Sequence, residues 1–500
     1  MRFSKGEKES AVLPDEGSPV QYVTGDRDVE FDDDLHIPCP SHTTERRLVN
    51  KIDLRLMPIL CILYLLAFLD RVNISNANIF GLSKELHLTT HNKFNTALVI
   101  FFVPYVLFEI PSNILLKKLK PNVWLSGCMF MFGLVSIIQG LVKSYGGLLV
   151  TRFFLGLFET GMFPGCFYLI GMWYRRHEAQ RRYSFFFSST TLAGAFGGLL
   201  AAAIGKMDGM RGYRGWRWIF ILEGVLTCVV AILFFFIIPN FPEDAKWLRE
   251  DERAYIKARL QADQGKSARE RSITVRDVGR VFKDFKVFLG GLMYFGLIVP
   301  AYGYAYFAPA IIQSYGYGLI QTQLHSVPPW AAAFGWAMLV AYISDKLRHR
   351  FIFAVLCICI SIAGFAIVDV VHNNKHVEYG ALFLITSGTY SAMPIIVCWF
   401  NMNLGGHHRR AVGTAWQVGF GNIGGIIAVW VFLAKDAPKY VTGFSVCLSF
   451  CCLSILSCVA YFFACFIQNR NKDKSVHDSS LTEYEKTELG DLSPDYRYLL

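Results

Sequence analysis

The chain has 500 residues, of which 53% are hydrophobic and only 18% are charged, and its mean hydropathy is +0.35. A soluble chain of this length normally divides into several domains and carries more charge, so the composition argues against a soluble protein. The net charge of +10 does not indicate a nucleic-acid ligand, because the basic residues lie in short stretches between long apolar runs. Such residues orient a membrane protein in the bilayer.

The cysteines and the N terminus give no sign of a metal centre or a signal peptide. The thirteen cysteines form no C-x-x-C pair, and most lie inside apolar runs, where cysteine behaves as a small hydrophobic residue. We therefore expect neither a metal nor a cofactor. The N terminus is polar and acidic, so we expect the first apolar span, which begins near Arg55, to act as an uncleaved insertion signal.

Twelve apolar runs are long enough to cross the hydrocarbon core as helices, which takes about 20 residues each. We predict an all-α membrane protein with 12 transmembrane helices, at 55–78, 95–117, 122–142, 147–171, 183–205, 217–239, 286–313, 326–345, 350–371, 378–400, 411–433 and 442–467.

The loops indicate the orientation of the chain and its division into two halves. Lys and Arg are concentrated in alternate loops, which places both termini in the cytoplasm. Features of the first half recur in the second, such as the glycine pairs 197–198 and 424–425, and parallel six-helix repeats are typical of the major facilitator architecture. The predicted domains are a cytoplasmic tail (1–50), a six-helix bundle (51–239), a central cytoplasmic loop (240–284), a second six-helix bundle (285–467) and a cytoplasmic tail (468–500).

A few ionisable residues lie inside predicted spans, where such a side chain costs about 2.5–3.5 kcal/mol. Asp70 and Arg71 are in span one, and Arg152 and Glu159 are on one face of span four. A helical rise of about 1.5 Å per residue puts Asp70 and Arg152 at depths that suit an ion pair. Asp70 and Arg71 are about 100° apart on their helix and cannot face the same partner.

These charges have two interpretations. In the first, they form a fixed ion-pair network that only holds the bundle together. In the second, they bind the substrate and the coupling proton. In the second case Arg71 or Arg152 is the counter-charge for an anionic substrate, and Asp70 or Glu159 binds a coupling proton, since desolvation favours the protonated carboxyl group. For Glu109, beside Pro111, the structural interpretation is favoured.

Span seven carries Tyr302, Tyr304 and Tyr306 between Pro300 and Pro309, and the prolines predict a kinked or broken helix. Broken helices at membrane depth line cavities, where Tyr302 and Tyr306 could stack on a flat ligand. The alternative is an aromatic belt at the membrane interface. Further candidates for the polar lining are Asn73, Asn401, Trp416, Gln417 and Asn422.

A series of motifs resembles one family. In chain order they are LDRVN at 69–73, FEIPSN at 108–113, RFFLGLFE at 152–159, WYRR at 173–176, GWRW at 215–218, GNIGG at 421–425 and SPDYRY at 493–498. The sequence resembles the fungal anion:cation symporters of the major facilitator superfamily, the allantoate permease group, and residues 434–440 look most like the nicotinic acid permeases.

The resemblance implies proton-coupled uptake of an organic anion by alternating access. It assigns roles in substrate and proton binding to Asp70, Arg71, Arg152 and Glu159. The expected substrate is nicotinate or a similar vitamin carboxylate; allantoate, pantothenate, biotin and dipeptides are the alternatives within the group. We expect a monomer in the plasma membrane. A nutrient sensor on the same fold is the competing class, and a membrane enzyme is not expected.

Overall fold

A computed structural model describes residues 39–90, 92–264, 279, 281–347, 349–372, 374–405, 407–437, 439–475 and 496–500. Much of both predicted tails (1–38 and 476–495) and part of the predicted central loop (265–278 and 280) therefore lie outside the described residues. The same holds for positions 493–495 of the SPDYRY motif.

Within these ranges all regular structure is helical. The α-helices are α1 (Glu45–Ile79), α2 (Leu82–Glu85), α3 (Lys93–Lys118), α4 (Pro121–Leu141), α5 (Tyr145–Glu159), α6 (Met162–Trp173), α7 (Arg176–Ile204), α8 (Gly215–Ile237), α9 (Glu250–Gln264), α10 (Phe285–Ser314), α11 (Leu319–Leu347), α12 (Phe351–Val370), α13 (Lys375–Met402), α14 (His407–Val431) and α15 (Val441–Ser475).

Eleven spans in the described part of the chain are long and apolar enough to cross a membrane, and each overlaps one predicted span. The remaining predicted span, 95–117, coincides with α3, a helix of 26 residues that contains Pro104 and Pro111. The all-helical membrane fold is thus confirmed.

Two spans differ from their expected form. The fourth consists of α5 and α6, which are separated at Thr160 and Gly161. There the Gly161 carbonyl accepts a hydrogen bond from the Trp124 indole at 3.3 Å, and a side-chain carbon on Gly161 would lie 2.6 Å from that nitrogen. In contrast, α10 continues through Pro300 and Pro309. The predicted break is wrong, because neighbouring helices can accommodate a proline inside a packed bundle.

The two halves touch at glycine positions near one end of the bundle. We call this the distal end; α1 and α7 end there and α3 begins there. A side-chain carbon on Gly198 of α7 would lie 2.5 Å from Ser326 Oγ of α11, and one on Gly425 of α14 would overlap the Phe102 ring of α3. One glycine of each recurring pair therefore makes a close-packing contact between the halves.

The last five residues, 496–500, pack against the opposite end of the second half. The Leu499 carbonyl accepts hydrogen bonds from Trp399 at 2.9 Å and Asn403 at 3.0 Å on and after α13. Tyr498 pairs with Asn469 of α15 and lies 3.5 Å from the Lys286 ammonium of α10. The Arg350 amide, just before α12, donates to the Leu500 carbonyl.

Candidate functional site

Arg71 lies at the centre of the charged site. It projects from α1 toward α5 and α10, and its guanidinium is buried. Its Nε donates to Glu159 Oε1 at 2.9 Å, its Nη2 bonds the same oxygen, and its Nη1 bonds the Tyr302 hydroxyl. Because Tyr302 belongs to the second half of the chain, this one guanidinium joins the two halves.

Aromatic rings surround the Arg71 guanidinium. Its central carbon is 5.2 Å from the Phe101 ring, 5.1 Å from the Tyr105 ring and 5.6 Å from the Tyr302 ring. A desolvated guanidinium is attracted to such ring faces. The rings therefore replace part of the hydration that Arg71 loses on burial.

Arg152 of α5 is fully buried, and its guanidinium meets carbonyl groups. Both terminal nitrogens donate to the Arg71 carbonyl at 3.3 Å, and Nε donates to the Ala97 carbonyl at 3.4 Å. Among the described residues no carboxylate lies within ion-pair distance of Arg152. The expected pair with Asp70 is therefore absent there; Arg71 takes the ion pair, with Glu159.

Asp70 faces the other side of α1, as the 100° separation predicts. Its carboxylate accepts hydrogen bonds from the Thr227 hydroxyl at 2.9 Å and the Ser136 hydroxyl at 3.5 Å. Asn73, one turn further along α1, donates to Glu223 of α8. Asp70 and Asn73 thus face a separate polar cluster between α1, α4 and α8.

The tyrosines of α10 point into the protein, which argues against the aromatic belt. Tyr302 and Tyr306 are buried, with stacked rings 5.9 Å apart. Each forms a T-shaped contact with the Phe102 ring, with centroids 5.1 and 6.2 Å apart. Tyr304 faces elsewhere, against the Trp330 ring of α11. Tyr302 and Tyr306 therefore line the junction between the halves.

A small cavity of about 20 Å³ lies beside this site, with room for one or two water molecules. Tyr302 lines it together with Tyr64, Tyr294 and Tyr390. Sequence reasoning missed these three tyrosines. They stand in apolar spans rich in aromatic residues, and only their hydroxyl groups distinguish them from core residues.

The remaining predicted lining residues are held by local contacts. Asn401 bonds the Val397 carbonyl and the Thr414 hydroxyl, Trp416 stacks on Phe420, and Gln417 donates to the Gly290 carbonyl at 3.1 Å. Asn422 is buried in α14. In the described part of the chain, no hydrogen bond or ring contact joins these four to Arg71 or Arg152.

Two further buried carboxyl groups lie in the first half, those of Glu109 and Glu223. Glu109 of α3 is buried, and Gly419 of α14 packs against its carboxyl group, 3.3 Å from Oε2 to the position of a side-chain carbon. Glu223 was missed as a site residue. The signal was present, because it is an ionisable residue inside a predicted span and meets the criterion applied to Asp70.

Comparisons with known proteins agree with this architecture. Residues 60–429 match the Major Facilitator Superfamily. A high-affinity nicotinic acid transporter of Saccharomyces cerevisiae is 32% identical over 476 residues, 93% of this chain and 87% of that protein. An uncharacterised transporter of Schizosaccharomyces pombe is 34% identical over 453 residues, 91% of this chain and 90% of that protein.

Among solved structures, the proton:xylose symporter XylE has the same fold, with a TM-score of 0.66 at 13% identity, over 82% of this chain and 95% of that one. The helical architecture and the match over residues 60–429 lead to one conclusion. This chain is an integral membrane transporter of the Major Facilitator Superfamily.

Proposed function

We propose that this transporter takes up a small organic anion together with protons, and that the anion is nicotinate or a similar vitamin carboxylate. The observation that carries the proposal is the charge at the junction of the halves. Two buried guanidiniums, those of Arg71 and Arg152, lie there, and in the described part of the chain only Arg71 of the two has an ion-paired carboxylate, that of Glu159.

A buried charge is costly unless an opposite charge compensates it. Arg152 donates to two backbone carbonyls, which satisfies its hydrogen bonds without neutralising it. A substrate carboxylate would supply the missing charge, and the planar guanidinium can hold both of its oxygens. The stacked rings of Tyr302 and Tyr306 could contact a flat aromatic substrate.

Transport requires the halves to separate, because a cavity of about 20 Å³ is too small for an organic anion. We propose that residues 51–239 and 285–467 move as two bundles joined by the loop 240–284. A substrate carboxylate that competes for Arg71 would release Glu159 from its ion pair, and Asp70 or Glu159 accepts the coupling proton. The proposed setting is the plasma membrane, with a monomeric carrier and both termini in the cytoplasm.

The support for nicotinate is the relative from Saccharomyces cerevisiae, named as a high-affinity nicotinic acid transporter. The two proteins are 32% identical, and at this identity their substrates can differ, so other carboxylates are considered beside nicotinate. Allantoate, pantothenate, biotin and dipeptides are therefore the substrates to compare with nicotinate.

The test is uptake of radiolabelled nicotinate by yeast that lacks its own nicotinate transporter, with this protein supplied, across a range of external pH. We expect uptake to rise as the medium becomes more acidic, to collapse with an uncoupler, and to fall in Arg152→Gln. Arg214→Lys, at a largely exposed site, is the control and should transport normally. Nicotinate uptake that does not change with pH or with an uncoupler would refute proton coupling. Binding of nicotinate without uptake would favour a nutrient sensor.

A further inference from the structure

A second polar cluster lies in the first half, on the side of α1 that faces away from Arg71. It contains two carboxyl groups, Asp70 of α1 and Glu223 of α8, which are 1% and 2% exposed. We call these two residues the carboxyl pair. Neither takes part in the Arg71–Glu159 ion pair.

The contacts between α1 and α8 bring the two carboxyl groups together. Asp70 accepts a hydrogen bond from Thr227 at 2.9 Å, and Glu223, one turn from Thr227, accepts one from Asn73, one turn from Asp70. Both hydrogen bonds thus join the same face of α1 to the same face of α8. Two negative charges placed there would repel each other.

Among the described residues, the cluster contains buried polar atoms that have no hydrogen-bond partner, and it contains no cation. Glu223 Oε1 is buried and has no hydrogen-bond partner in the described residues, and the same is true of both polar atoms of Gln139. Gln139 is fully buried one turn beyond Ser136 on α4, and Ser136 donates to Asp70.

The other titratable groups around the pair do not neutralise it. The nearest other titratable groups are Glu159 of α5 and the Cys228 thiol of α8, one residue beyond Thr227, and both are negatively charged when ionised. Arg71 turns to Glu159, and Arg217 of α8 bonds Glu85 at 2.7 Å. In the described part of the chain no Lys or Arg pairs with Asp70 or Glu223. Two adjacent desolvated carboxyl groups without a cation cannot both be ionised.

We propose that Asp70 and Glu223 form one site that binds the coupling proton, with Glu223 as its second, previously unassigned carboxyl group. A proton taken from water on one side of the membrane forms an O–H bond on one of the two carboxylates. The same bond breaks when the proton leaves to water on the other side. This inference rests on the proposed proton coupling and specifies where the proton is carried.

The donor set favours a proton over a metal cation. The Ser136 and Thr227 hydroxyls and the Asn73 amide direct hydrogen atoms at the carboxylates, whereas a metal ion requires free oxygen lone pairs. The site is also linked to the anion site through one helix. Asp70 is adjacent to Arg71, whose carbonyl binds the Arg152 guanidinium, so a shift of α1 moves both.

The first test measures protonation directly in the purified full-length protein. Infrared pH titration should show the C=O stretching band of a protonated carboxyl group. We expect Glu223→Gln to remove or shift a titrating band that Glu223→Asp retains, and Asp70→Asn to alter the same band. Asp369→Asn, whose carboxylate in α12 accepts from Ser445 at 3.1 Å, is the control. A wild-type titration in Glu223→Gln would overturn the proposal, as would a response to Na⁺ at constant pH.

The second test compares nicotinate accumulation with nicotinate exchange in the same variants. Coupling to one proton across about one pH unit supports about tenfold accumulation, since each factor of ten is about 1.4 kcal/mol. Glu223→Gln should lose this factor while exchange of labelled for unlabelled nicotinate continues. If wild-type uptake ignores pH, the proposed function fails. If wild-type uptake is coupled to protons and uptake by Glu223→Gln is coupled to the same degree, only the proposed role of the carboxyl pair is refuted.

Discussion

Arg71 connects an ion pair, a tyrosine and a ring of aromatic side chains through one guanidinium. Its contact with Glu159 lies within the first half of the chain, and its contact with Tyr302 crosses to the second half. A change at Arg71 can therefore act on stability, through the ion pair, or on transport, through the contact between the halves. Substitutions can separate these two effects.

We expect Arg71→Met to lower the free energy of unfolding by about 3–5 kcal/mol, because it leaves the Glu159 carboxylate buried without a partner. The double substitution Arg71→Met, Glu159→Leu should recover most of this loss, since it removes both charges. Thermal unfolding in detergent measures the stability. Transport should remain absent in the double variant, and a double variant that transports would show that the pair is only structural.

Tyr302→Phe removes the hydroxyl group that accepts from Arg71. A hydrogen bond to a charged group contributes about 1.5–3 kcal/mol, so we expect the half-saturating nicotinate concentration to rise about tenfold or more. The matched control is Tyr304→Phe, on the same helix but against Trp330, which should keep wild-type affinity. Equal effects of both substitutions would argue for a general packing defect.

The four charged residues of the candidate site could be singled out from the sequence, but their pairing could not. Sequence alone singled out Asp70, Arg71, Arg152 and Glu159, because charge is rare at membrane depth. Helical rise gives the depth of each residue but not the rotation of one helix against another, so it suggested Asp70 with Arg152. The structure pairs Arg71 with Glu159 and directs Asp70 to α4 and α8.

At the level of the helices, glycine sets how closely the halves approach at the distal end. The contacts of α7 with α11 and of α3 with α14 each depend on a glycine, Gly198 and Gly425. The Asn95 amide adds two hydrogen bonds to carbonyls at the end of α14 and just beyond it, at 2.7 and 3.1 Å. Closure of this end therefore depends on a few positions.

Gly425→Ala should prevent full closure, because the new carbon would overlap the Phe102 ring. We expect slower nicotinate uptake and faster labelling of Asn95→Cys by a membrane-impermeant thiol reagent. Gly335→Ala in α11 is the control, since its new carbon would meet nothing within 4 Å. Unchanged labelling in Gly425→Ala would show that this contact does not limit closure.

The short helix α2 carries a pH-dependent contact at the distal end. Burial of Glu85 favours its neutral form, but hydrogen bonds from Arg217 and Trp216 outweigh this and hold the pKa of Glu85 below its usual value of 4.5. A lowered pKa stabilises the fold above the unfolded-state pKa, and this stabilisation is lost as the pH falls through the folded-state value.

Glu85→Gln should therefore lower the melting temperature at neutral pH and leave little difference from the wild type in strong acid. Melting curves measured between neutral and acidic pH would show the two proteins converging as the pH falls. Glu250→Gln, at an exposed carboxyl group on α9, should follow the wild type throughout. A constant difference between Glu85→Gln and wild type would mean that the charge of Glu85 contributes nothing.

For the molecule as a whole, the span pattern was predictable because length and apolarity decide which segments cross a bilayer. Each of the eleven spans overlaps a prediction. The break at Gly161 was not predictable, because it depends on the Trp124 indole of another span. The continuity of α10 through two prolines depends in the same way on its neighbours.

The packing of residues 496–500 has a mechanical consequence. This short segment contacts α10, α13 and α15 and the residue that precedes α12, so it braces four helices of the second half at their ends. A bundle whose helices are held together in this way resists internal bending and moves as a rigid body. Bending during each cycle should then concentrate in the first half, at the interruption between α5 and α6, two residues from the carboxylate that binds Arg71.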